Sequence, residues 1–196
     1  MVATFRNTEI ERTARYGHYR LGVLVGLASI VMLFTSLTSA YIVRAAVTND
    51  WVPLPVPKTI WVSTAMILIS SAAIEMARRA IRREAGRAYG TWLAITGLLG
   101  VGFLVSQLFV WRQLARQGVY IATNPYSSFF YLLTGVHGVH IAGGLLAVSL
   151  LLVGHRIRWR SLSGAKEIAL ADSVSIYWHF MDALWIYLFL LLFVWR

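Results

Sequence analysis

The residues able to do chemistry are few, and they lie in or beside long apolar runs. They are His137 and His140, His179 and Asp182, and Glu75. An ionisable side chain in hydrocarbon costs several kcal/mol, so each marks structure or function. His137 and His140 stand at i and i+3, as do His179 and Asp182, so each pair shares one helix face. Three chemistries are open to them. Imidazoles and a carboxylate from two helices are suitable metal ligands, at a spacing that bundle sites use. A chain of Asp and His also suits a proton relay or a transport site. In the third, Asp182 accepts from an imidazole N–H and locks two helices together. The expectation is this structural cluster of His137, His140, His179 and Asp182, with no catalytic residue and no metal on this chain. Glu75 is expected to be an interfacial carboxylate beside Arg78 and Arg79. Trp178, Trp185, Tyr177 and Tyr187 are expected to pack rather than line a cofactor. No paired membrane carboxylate, glycine-rich phosphate loop or nucleophile–base constellation is present.

The elements that must position these groups follow from composition. Of 196 residues, 58% are apolar and 13% charged, against about 25% charged in soluble domains, and mean hydropathy is +0.66. That excludes a disordered chain and an ordinary soluble domain. There is no cysteine, hence no disulfide framework, Fe–S cluster or Cys-based zinc site. About 20 apolar residues cross a ~30 Å hydrocarbon core. An all-α integral membrane protein of five transmembrane helices is expected, at about 21–43, 59–77, 91–111, 127–154 and 173–195. Residues 21–196 would form one membrane domain behind a cytoplasmic tail, 1–20. The second helix reaches full length only if Glu75 and Met76 end it, with Arg78 and Arg79 snorkelling to the headgroups.

The basic residues alternate by loop. The tail (Arg6, Arg12, Arg15, Arg20), the second loop (Arg78, Arg79, Arg82, Arg83, Arg87) and the fourth loop (Arg156, Arg158, Arg160, Lys166) hold most of the 18 Lys and Arg. The positive-inside rule then puts the N-terminus inside and the C-terminus outside. It also explains the net charge of +10. These arginines face anionic lipid at helix ends, rather than forming the single basic face of a nucleic-acid binder. A rise of ~1.5 Å per residue puts His140 roughly 10 Å and Asp182 roughly 13 Å from the inner edge, so the two faces can meet if their helices are neighbours. The alternating prolines of residues 50–57 make a stiff extended stretch. Tyr41, Trp51, Trp61, Trp111, Tyr120, Tyr126 and Trp195 lie near the outer interface as an aromatic belt. Gly22 and Gly26, Gly97, Gly100 and Gly102, and above all Gly135, Gly138, Gly143 and Gly144 thin the helices for close packing. The fourth helix is therefore expected at the tightest contact, within this chain or with a partner.

Residues 124–144, NPYSSFFYLLTGVHGVHIAGG, resemble the signature helix of subunit III of the haem–copper oxidases. The run Trp178-His179-Phe180-Met181-Asp182-Ala183-Leu184-Trp185 is similar to that family's Trp-His-Phe-x-Asp-x-x-Trp. The likeness extends over nearly the whole chain after residue 16 and matches the family's five-helix form. It implies a non-catalytic subunit without a redox centre. Haem and copper would lie in partner subunits, and the chain would stabilise subunit I in aerobic electron transport and oxygen reduction. Subunits I and II and membrane phospholipids are the implied partners, in a bacterial plasma membrane. The chain departs from the family where many members have a carboxylate in the first helix, because Ile30 occupies that place. Near Gln107, where some have another acid, it has Phe109 and Val110. The electron donor is not readable from this chain. A ubiquinol oxidase or a nitric oxide reductase accessory subunit is the near alternative, and an independent small transporter is the alternative of another class.

Overall fold

The computed structural model describes residues 2–47, 51–52, 59–157 and 164–193, with side chains from Tyr19 onward. Five helices account for nearly all of them: α1 (Val2–Val47), α2 (Thr59–Arg82), α3 (Gly86–Arg116), α4 (Pro125–Ile157) and α5 (Gly164–Phe193). Each contains a stretch long and apolar enough to cross a membrane. Each is also longer than the apolar run that announces it, since backbone hydrogen bonding continues into the headgroup region after hydropathy has fallen. Residues 2–20, expected as a tail, continue α1. Most of the proline stretch, together with Arg158, Arg160, Trp195 and Arg196, lies outside the described residues.

Local chemistry sets the helix ends. In α2 the Ala85 N–H donates to the Ala80 carbonyl at 3.0 Å and the Glu84 N–H to that of Ile81 at 3.1 Å. These are the paired bonds of a Schellman end, and Glu84 takes the left-handed position at φ 57. The end of α3 repeats the pattern with Val119 N–H to Leu114 O and Gly118 N–H to Ala115 O, and there glycine supplies the φ of 77. At the start of α4 the Asn124 carboxamide accepts from the Ser127 N–H at 2.8 Å, while Ser127 Oγ accepts from the Asn124 N–H at 3.1 Å. This reciprocal cap precedes a helix opened by Pro125, whose missing N–H would have no partner there anyway.

The helices α2, α3, α4 and α5 close a ring, each touching the next, and α1 lies outside it against α4 and α5. Helix α5 is the most enclosed, with 56% of its most apolar window buried, against 11% for α1. Outward faces carry Leu98, Val139, Leu146 and Leu150, a surface that only hydrocarbon covers without cost. Glycine marks the closest approaches. A Cβ on Gly100 of α3 would come within 2.8 Å of the Trp178 ring, and one on Gly144 of α4 within 3.2 Å of it. One indole is thus closely approached by α3 and α4 together, while a Cβ on Gly102 of α3 would come closer still, within 2.5 Å of Met66 of α2. Gly22 and Gly26 have nothing within 4 Å, so this pair in α1 does not pack within the described chain.

Candidate functional site

The expected polar residues fall into two groups rather than one. His137 is fully enclosed, stacked on Trp185 of α5 at 5.4 Å and met edge-on by Phe103 of α3 at 5.9 Å and Phe34 of α1 at 6.5 Å. His140, one turn on, faces Phe34 at 5.9 Å and donates from Nδ1 to the Val136 carbonyl of its own helix at 2.8 Å. His179 lies on the side of α5 that faces α2. Its Nδ1 is 2.7 Å from Ser71 Oγ and its Nε2 3.9 Å from Glu75. Asp182 is almost fully buried, and Ser71 also neighbours its carboxyl.

The expected hydrogen bond from an imidazole to Asp182 is not formed. Neither the Asp182 carboxyl nor the His137 ring has a hydrogen-bond partner among the described residues. Helix register explains this. The α4–α5 contact sets His137 against Trp185, one turn beyond Asp182, while His179 and Asp182 both turn to α2. Among the described residues, no three His, Cys, Asp or Glu side chains converge as a metal-ligand set.

Indoles and hydroxyls do the locking instead. Trp178 Nε1–H donates to Ser70 Oγ at 3.0 Å, and Trp185 Nε1–H to Thr64 Oγ1 at 3.1 Å. Ser70 in turn donates to the Ile67 carbonyl and Thr64 to that of Ile60. Each hydroxyl therefore both gives and receives, which a bilayer requires because no water satisfies the remainder. Ser106 of α3 donates to Ser63 of α2 at 2.7 Å, Trp111 of α3 to Thr134 of α4 at 3.3 Å, and Tyr177 of α5 to the His140 carbonyl of α4 at 2.8 Å. The Tyr126 hydroxyl reaches the Leu192 carbonyl at the other end of α4 and α5. Sequence reading passed over Ser63, Thr64, Ser70 and Ser71. A signal existed, since Ser63 and Ser70 of α2 repeat at seven residues, as do Trp178 and Trp185 of α5.

A second polar layer sits at the arginine-rich end. Glu75 accepts from Arg78 Nε at 2.8 Å and from Arg79 Nε at 2.9 Å, the arrangement its spacing predicts. Asp172 of α5, unremarked in the sequence, accepts from Arg82 at 2.6 Å and so ties α5 to α2. His155 joins three helices here. Its Nε2 donates to the Gly86 carbonyl of α3 at 2.9 Å, and its Nδ1 lies 3.0 Å from Glu167 of α5. Tyr89 meets the same ring edge-on at 4.9 Å.

Comparison with known proteins bears on what such a bundle is for. The sequence profile of cytochrome c oxidase subunit III matches residues 4–196. A probable cytochrome c oxidase subunit 3 of Mycobacterium tuberculosis is 36% identical over 175 residues, covering 86% of this chain and 84% of the relative. The similar protein of Nocardia farcinica is 35% identical over the same 86% and 84%. Cytochrome c oxidase subunit 3 of Thermostichus vulcanus is 34% identical over 182 residues, 89% of this chain and 86% of that one.

Proposed function

The chain belongs to the cytochrome c oxidase subunit III family and is a multi-pass membrane subunit of a terminal oxidase, and from that premise we propose that it acts as a scaffold that performs no step of oxygen reduction. The observation that carries this is the use made of its intramembrane polar groups. Trp178, Trp185, Ser70, Thr64, Ser106 and Tyr177 are spent on helix-to-helix hydrogen bonds. His137 and His140 lie among aromatic rings rather than beside a nucleophile or a shared ligand position.

In this reading His137, His140, His179 and Asp182 are structural. The haem and copper sites belong to subunit I, which this chain stabilises, with subunit II as a further companion and phospholipid around the outward apolar faces. Residues 21–196 form the single membrane domain, and the preceding residues lie on the cytoplasmic side of a bacterial plasma membrane. The N-terminus is inside and the C-terminus outside, as the arginine bias requires. The relatives' names favour cytochrome c over a quinol as the electron donor of the complex. Family membership sets aside an independent transporter.

Purification through a tag on this chain in mild detergent tests the assignment. A haem spectrum in the eluate is expected, and a haem-free monomer that moves solute in liposomes would overturn it. Asp182→Asn separates structure from chemistry. Because the Asp182 carboxyl is buried with no hydrogen-bond partner among the described residues, the neutral amide is expected to leave the thermal stability of the complex unchanged or slightly raised and to spare turnover per assembled haem. Lost turnover in a fully assembled complex would sink the scaffold reading.

A further inference from the structure

Two buried side chains with unmet polar atoms lie at one level of the seam between α3 and α4. His137 of α4 is fully buried and Gln107 of α3 nearly so. Both ring nitrogens of His137 and both amide atoms of Gln107 lack a hydrogen-bond partner among the described residues. Contacts on either side bring the two level. Phe103, one turn before Gln107, meets His137 edge-on at 5.9 Å, and Trp111, one turn after it, donates to Thr134 of α4 at 3.3 Å. Residues four apart share a helix face, so Gln107 faces α4 between His137 and Thr134.

Polar atoms buried inside a membrane bundle have no bulk water to turn to, and leaving them unmet is costly. Although level, Gln107 and His137 do not bond to each other, so a bridging group is needed. An uncharged imidazole offers one donor and one acceptor, and a carboxamide offers both kinds. The complement is a small neutral molecule that gives and accepts at once. Thr134 supplies only part of this, because its hydroxyl donates to the Phe130 carbonyl and accepts from Trp111, which leaves one lone pair. A Cβ on Gly138, next to His137 in the chain, would meet Leu104 of α3 at 3.7 Å, an ordinary contact. The seam therefore has room for a group the size of a methyl. Phe34, Phe103 and Trp185 surround the His137 ring and leave no space for a larger guest.

We propose that a water molecule is bound between Gln107 and His137 and joins α3 to α4 inside the bundle. It accepts from the Gln107 amide, donates to the unprotonated nitrogen of His137, and gives its second hydrogen to Thr134 Oγ1. Three hydrogen bonds are usual for a water buried in protein. The site depends only on the packing of α3 against α4, so its presence or loss leaves the scaffold reading untouched.

Cryo-electron microscopy of the intact oxidase complex, at a resolution that shows ordered water, tests this. Wild type is expected to show a density within hydrogen-bond distance of both Gln107 and His137. Gln107→Leu removes one partner at similar volume and is expected to lose that density. His137→Phe keeps a ring among its aromatic neighbours and is expected to lose it too, so each variant decides alone if the other fails to assemble. The haem spectrum checks assembly. A direct Gln107–His137 bond with no density between them would overturn the proposal, as would a wild-type map with neither. A density that persists in either assembled variant would overturn it as well.

Discussion

Trp178 concentrates what holds the molecule together. It is fully buried, with Gly100 on one side, Gly144 on the other and Ser70 at its N–H. Trp178→Phe keeps most of the packing and loses the hydrogen bond, worth on average about 0.6 kcal/mol between membrane helices, so a small fall in the melting temperature of the complex is expected. Trp178→Ala leaves a cavity at the meeting point of three helices and is expected to cost about 3–5 kcal/mol. Yield and melting of the complex should separate the two. Glu84 offers the opposite sign. It occupies the left-handed position that Gly118 fills in the matching end of α3, and that conformation costs a side chain roughly 1–2 kcal/mol. Glu84→Gly is therefore expected to raise the melting temperature. At this scale the residue types were legible, since Trp178 and Trp185 read as packing residues and Glu75 as the partner of Arg78 and Arg79. The partners of His137 and Asp182 were not, because they depend on the register of other helices.

Among the elements, α5 is the hub because its neighbours α1, α2 and α4 cover most of its circumference. Its contact with α2 repeats. Ser63 and Ser70 lie seven residues apart on one helix, as do Trp178 and Trp185 on the other, and seven residues are close to two turns. Ser70 meets Trp178, but Trp185 selects Thr64 and leaves Ser63 to Ser106 of α3. A double-mutant cycle of Ser70→Ala with Trp178→Phe should give a coupling of some tenths of a kcal/mol, whereas Ser63→Ala with Trp178→Phe should be additive. The far end of the ring depends on His155, which holds α3 and α5 to α4 through Gly86 and Glu167. His155→Ala is expected to raise hydrogen exchange in the first turns of α3 and α5 while leaving the Trp185 layer protected. Uniform loosening of both layers would show that the ring does not have separable ends.

For the whole molecule, the absence of cysteine makes the proposed orientation easy to test. A single cysteine at Thr123 is expected to react with a membrane-impermeant maleimide in intact cells, and one at Arg83 only after the cells are opened. The reverse pattern would invert the topology. Helix α1 stands apart on the rim of the ring, with Gly22 and Gly26 unpacked and most of its apolar residues exposed. The glycine content of the fourth helix was read as the tightest contact. Among the described residues Gly144 does meet the Trp178 indole, with Gly100 also against it, but the narrowest gap is between Gly102 of α3 and Met66 of α2.

Hydropathy and the spacing of the arginines determine, by themselves, how many helices cross and which loops are basic. Both signals are local, because each helix must satisfy its own backbone in hydrocarbon before it meets a neighbour. The residue strings around His137 and Asp182 likewise carried the family. Only the tertiary structure decided what those side chains touch. Helix rotation and register are set by packing between segments far apart in the chain, and a shift of one turn replaces Asp182 with Trp185 opposite His137. The same holds for Ser70, Asp172 and His155, ordinary residues in the sequence that become joints once α2, α3, α4 and α5 close into a ring.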